Sequence, residues 1–221
     1  MVTDGHMATA TEFLTLAQWF SPAFPIGAFA YSHGMEWSIE NGDISDAATA
    51  QAWIATVLRS GSGWNDAILI ANAYRAKDAL EVELIDATGK ALCSSRERVL
   101  ETQLQGAAFC QTVENVWGAE LKGLILPVAV GKAAQLHALP LETVIQMYLQ
   151  AFATNLSSVA MRLVPLGQTE GQKLICNLNA LCIEIAGSTL NAELDELSST
   201  TFAADIAAMK HETQYARVFR T

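Results

Sequence analysis

The stretch LETVIQMYLQAFATNLSSVAMRLVP, residues 141–165, decides the fold class. Ile145, Leu149, Phe152, Leu156, Val159 and Leu163 recur at spacings of 4, 3, 4, 3 and 4, which sets all six on one stripe of a long α-helix. Pro140 suits its first turn and Pro165 stops it. Ala151, Ala153, Ser157, Ser158 and Ala160 are small enough to let other helices approach, so this helix is expected at the centre of the molecule.

The same period spreads outward. Leu174, Leu178, Leu181 and Ile185 repeat it in a following helix that ends near Gly187. Trp53, Ile54, Val57 and Leu58 mark a helix closed by Gly61-Ser62-Gly63, and Ala67, Ile68, Ala71 and Tyr74 mark its successor. Ser94 or Ser95 is a cap for a long helix through Leu100, Leu104, Ala107 and Ala108 towards Trp117. No segment alternates apolar and polar residues over a strand's length, and no repeat is visible. The expected fold is all-α, a single-domain bundle of roughly eight to ten helices. It divides into an N-terminal tail (1–9), a helical domain (10–202) and a C-terminal helix with a tail (203–221). Gly5-His6-Met7 resembles a cloning scar, which removes His6 from functional reasoning.

Composition narrows the function. Apolar residues make up 51 % of the 221-residue chain and charged ones 16 %, below the roughly 25 % of ordinary soluble domains. Some apolar surface is therefore expected to remain for a partner. A formal charge of −10 disfavours nucleic acid, which demands clustered cations. No apolar run approaches the 18 or so residues of a membrane span, and no signal peptide is visible. Cys93, Cys110, Cys176 and Cys182 lack CxxC spacing and are read as buried thiols of a cytoplasmic protein. The histidines at 6, 33, 137 and 211 form no HxxxH or HExxH pair, so a metal cage within one chain is not expected. His33 or His211 could give one ligand each across a symmetric interface, or serve as ordinary hydrogen-bonding histidines. Glu36 and Glu40, one turn apart, fit acid–base chemistry or, more commonly, a solvated surface.

Two segments are unusual. Ser21-Pro22-Ala23-Phe24-Pro25-Ile26-Gly27-Ala28-Phe29 is an apolar loop, expected to be extended by its prolines and either buried or offered to something. Residues 210–221 carry Lys210, Arg217 and Arg220 against Glu212, a local excess of positive charge, with Tyr215, Val218 and Phe219 as apolar bulk.

With its continuation Ala30-Tyr31-Ser32-His33-Gly34-Met35-Glu36, the proline loop resembles the N-terminal signature of the urease accessory protein UreF family. Arg162-Leu163-Val164-Pro165-Leu166-Gly167-Gln168-Thr169-Glu170-Gly171-Gln172 resembles its second signature. Pro127 to Gly131, Leu139 to Glu142, and the ending His211 to Thr221 are similar to further family segments, in the family's order. Ala28 stands where glycine is common, His33 replaces a frequent Gln and Thr221 a frequent Ser; residues 43–122 contribute little to the likeness.

The resemblance implies a cytoplasmic homodimer with no catalytic residues, cofactor or bound metal of its own. It would bridge the accessory protein UreD (also called UreH) and the GTPase UreG in the complex that inserts nickel into apo-urease, and bias the GTPase. Lys210, His211, Glu212, Tyr215, Arg217, Val218, Phe219 and Arg220 would order on UreD/UreH from a flexible tail. Tyr31, Ser32, Gly34, Glu36, Arg162, Gln168 and Gln172 would line the GTPase-facing surface, or else satisfy one another inside the fold. The competing classes are an all-α enzyme with an unrecognised pocket and a plain helical dimerisation module.

Overall fold

In the computed structural model, residues 9–121 and 123–221 are described; they are all-α, with ten α-helices, two short 3-10 turns and no strand. The expected N-terminal tail lies, apart from Thr9, outside the described residues. The helices are α1 (Ala10–Trp19), α2 (Met35–Glu40), α3 (Ala47–Ser60), α4 (Ser62–Arg75) and α5 (Ala79–Ala91). They continue with α6 (Arg96–Trp117), α7 (Leu126–Leu136), α8 (Leu141–Leu163), α9 (Gln168–Thr189) and α10 (Phe202–His211).

Local chemistry sets the boundaries. Thr9, Asp46, Asp78 and Ser95 cap α1, α3, α5 and α6 by accepting from a backbone N–H three residues on. Pro140 stands one residue before α8 instead of within its first turn, and Pro127 sits in the first turn of α7. Helix α9 runs on past Gly187 to Thr189.

The central position of α8 is observed: Ile145, Leu149, Leu156 and Val159 are buried, and the helix packs against α9, α3, α4 and α2. Around it the core joins Trp19, Phe24, Ile54, Phe109, Val130, Leu174 and Ile185. Helix α6 departs from the expected facing. Leu100 and Leu104 point outward, and the helix instead buries Glu101, Thr102, Gln105 and Phe109. The thiols also divide: Cys110 and Cys182 are buried, Cys93 is half-buried and Cys176 is exposed.

The proline loop is not extended. It folds through successive tight turns, with the Phe24 N–H donating to Ser21 O and the Ile26 N–H to Phe24 O. Gly27 takes the left-handed conformation (φ 68°), which frees Ala28 to open a 3-10 turn over Ala28–Ala30. Phe24 enters the core while Phe29 stays exposed, so the loop is both buried and offered.

Helices α4, α6 and α7 meet at glycine contacts. A Cβ on Gly131 would lie 2.3 Å from Ile70 O, and one on Gly106 2.2 Å from Leu124 O, whereas Gly187 has open space around it. Gly131→Ala should therefore destabilise the fold by about 1–3 kcal/mol through overpacking. Gly187→Ala, on the exposed face of α9, should stabilise it by about 0.5–1 kcal/mol. Urea unfolding of the two variants checks both signs.

Candidate interaction site at the C-terminal tail

Helix α2 is short, and Gly34 begins it. Gly34 has φ 77°, and a Cβ there would come within 2.6 Å of the Ala208 backbone nitrogen, so glycine alone lets α10 cross this close. The crossing brings Glu36 of α2 beside His211 at the end of α10. Glu36, only 5 % exposed, takes hydrogen bonds from the Val218 N–H to Oε1 (2.6 Å) and from the Phe219 N–H to Oε2 (2.9 Å). His211 Nε2 lies 3.2 Å from the same Oε2, and its Nδ1 lies 2.7 Å from Glu97 Oε2. Arg217 completes the group by donating to Glu97 Oε1 at 2.6 Å.

The chain end is fixed by further contacts. The Arg220 N–H donates to Ala30 O (2.8 Å) and the Ser32 N–H to Thr221 O (2.7 Å), with the Ser32 hydroxyl on the same oxygen. Thr221 Oγ1 donates to Glu101 Oε2 at 3.1 Å. Phe219 belongs to the main core, and Arg162 Cζ stacks 4.4 Å above its ring, a cation–π contact. Arg162 also donates to Phe29 O (3.3 Å). Glu212 accepts from the Arg96 guanidinium and from its backbone N–H. The flexible tail expected from sequence is therefore folded back onto α2 and α6, held by its own donors.

The residues expected to form one polar face are split. Tyr31, Ser32, Gly34 and Glu36 are buried; Ser32 and Glu36 hold the tail, Gly34 lies against α10, and the Tyr31 carbonyl accepts from Asn155 (3.1 Å). Arg162, Gln168 and Gln172 are exposed, around the α8–α9 junction. In the tail, His211 and Phe219 are buried, whereas Lys210, Tyr215, Val218 and Arg220 remain exposed.

Behind the tail runs a polar seam that sequence reasoning missed. Arg98 donates to Asp66 Oδ2 (3.1 Å) and lies 3.5 Å from Glu101, and Tyr148 donates to Asp66 Oδ2 (2.6 Å). His33, itself at φ 58°, reaches Ser62 Oγ (2.6 Å) through Nε2 and stands 3.7 Å from Glu101 through Nδ1. Burial pushes the Asp66 carboxyl up, against the pull of Arg98 and Tyr148. For Glu101, burial also acts upward, but Arg98, His33 and Thr221 outweigh it and hold the group below the usual carboxylate range. No local signal marked it, because Leu100 and Leu104 suggest by type the opposite facing of α6; with these outward, Glu97, Arg98 and Glu101 face the body. Among the described residues no group of three His, Cys, Asp or Glu side chains is arranged to hold a metal ion, and no helix is long and apolar enough to cross a membrane.

Much of this chain's buried polar chemistry thus holds its own C-terminal segment in place, while apolar side chains are left on the outside. That is the make-up of an all-helical domain with a clamped C-terminal segment and apolar surface to spare. The comparisons agree and are more specific. A family model described as UreF matches residues 44–179. The urease accessory protein UreF of Ruegeria pomeroyi is 59 % identical over 217 residues, covering 97 % of this chain and 100 % of the relative. That of Roseobacter denitrificans is 51 % identical, with 99 % and 98 % covered, and that of Bradyrhizobium diazoefficiens 43 %, with 100 % and 97 % covered. The chain belongs to the UreF family of urease accessory proteins. The matched range takes in residues 44–122, which had seemed uninformative; the relatives' coverage extends to the proline loop and the tail.

Glu36→Gln keeps the side chain's size but removes the charge that receives three donors. It should cost about 1–3 kcal/mol and raise amide exchange at Val218 and Phe219 by tenfold or more, with the helical circular dichroism intact. The Glu101 contribution has a pH signature: it is present above the ordinary value of 4.5 and lost as pH falls through the lower folded value. Acid titration should therefore loosen the Thr221 contact at and below that range, and Glu101→Gln should flatten the stability profile there.

Proposed function

We propose that this chain bridges UreD (UreH) and the GTPase UreG in the complex that delivers nickel to apo-urease, acting as a cytoplasmic homodimer and biasing the GTPase. Nickel is cargo in this reading, passed through or across the assembly to urease. The observation that carries it is the outward apolar surface of the C-terminal region. On α10, Phe202, Ile206 and Met209 follow a helical spacing and are at least half exposed, although hydrophobic. The docked tail then adds Tyr215 and Val218, both strongly exposed. Apolar groups left exposed together on one region favour a protein partner.

Docking the tail in advance also lowers the entropy lost on association, because Tyr215 and Val218 are already ordered by Glu36 and Glu97. We assign this surface to UreD/UreH, and the exposed Arg162, Gln168 and Gln172 to the GTPase. Glu36 then acts on partners through the tail it holds, from a buried position.

Capture assays with the purified accessory proteins test this. Tyr215→Asp with Val218→Asp should weaken UreD/UreH binding at least tenfold and leave the thermal midpoint within about 2 °C, since neither side chain is packed. Gln168→Lys with Gln172→Lys should weaken capture of the GTPase and spare UreD/UreH. Undiminished UreD/UreH binding by the first double variant would contradict the assignment.

A further inference from the structure

A cavity of about 340 Å³ lies beside the proline loop and reaches Arg98 and Glu101 of the polar seam. That size falls within the roughly 300–1,000 Å³ of small-molecule sites. Its walls are aromatic: Trp19, Phe20, Phe24, Phe109, Tyr148 and Phe152 line it. Its polar end holds Asp66, Arg98 and Glu101, two carboxylates sharing one guanidinium. Both bonds that Asp66 receives there, from Arg98 and Tyr148, fall on the single oxygen Oδ2. Two further lining groups, the Trp19 indole N–H on a residue 1 % exposed and Thr154 Oγ1, are buried without a hydrogen-bond partner among the described residues. Buried polar groups of that kind are uncommon.

We infer that this cavity binds a small organic ammonium ion with an apolar body. Aromatic faces attract such a cation through their quadrupoles, and the surplus carboxylate charge at the polar end compensates it. An anion would face the carboxylates, and a neutral guest would gain no charge–charge attraction from them. The cavity is separate from the outward surface assigned to partners, so its occupancy would act on the seam behind the tail.

The test is isothermal titration of the full chain with 2-phenylethylammonium, 2-phenylethanol and 3-phenylpropionate, three guests of similar body and different charge. The ammonium ion is expected to bind at least tenfold more tightly than the alcohol, with no measurable binding of the carboxylate. Asp66→Asn should erase the preference for the cation. If that variant fails to fold, Ala151→Trp, which fills the cavity from α8, decides the matter and should abolish binding. Equal affinity for the three guests, no binding of the ammonium ion, or binding that survives Ala151→Trp would overturn the inference.

Discussion

The carboxylate of Glu36 is the constraint on which the functional half of this structure depends. An ionised carboxylate taken out of water costs several kcal/mol unless donors surround it. Here the donors are two backbone N–H groups of the tail and one histidine at the end of α10. Glu36 therefore depends on the tail for its donors, and the backbone at Val218 and Phe219 depends on Glu36 for its acceptor. Gly34 makes the arrangement possible by letting α10 pass within contact of the α2 start, and Glu97 extends it by pairing with both His211 and Arg217.

Which groups remain outside follows from which are held inside. With Val218 and Phe219 pinned through their backbones, the Phe219 side chain turns into the core under Arg162, and Val218 turns out. The family resemblance concerns the same residues, so a motif that reads as a recognition surface is largely an internal clamp. In the proposed reading, it acts on partners through the segment it positions. The polar seam of Asp66, Arg98, Tyr148, Glu101 and His33 links this clamp to the α8 core, with Thr221 at one end and the aromatic cavity at the other.

Helices α3, α4, α6, α8 and α9 were legible because local signals mark them: the stripe of α8, the cap Ser95, the breakers Gly61 and Pro165. Facing was less legible. Leu100 and Leu104 in α6 look like core residues by type, but the inward stripe of that helix is polar because Asp66 and Tyr148 lie opposite it. Periodicity cannot reveal this, since the pairing is between residues more than 30 positions apart in sequence. The tail suffered the same loss: its charge and apolar bulk were visible at residues 210–221, but the acceptors that fix it, Glu36 and Glu97, come from distant helices. The turns of the proline loop were hidden because two prolines fit both extended and turn geometries.

The central claim is that the buried clamp and the exposed docking face act as one unit. A double-mutant cycle on affinity for UreD/UreH, combining Glu36→Gln with Tyr215→Ala, measures that coupling directly. The account predicts strong non-additivity: once the clamp is released, removing the Tyr215 ring should cost little more. Fully additive losses would contradict it, showing that Tyr215 engages the partner independently of how the tail is held.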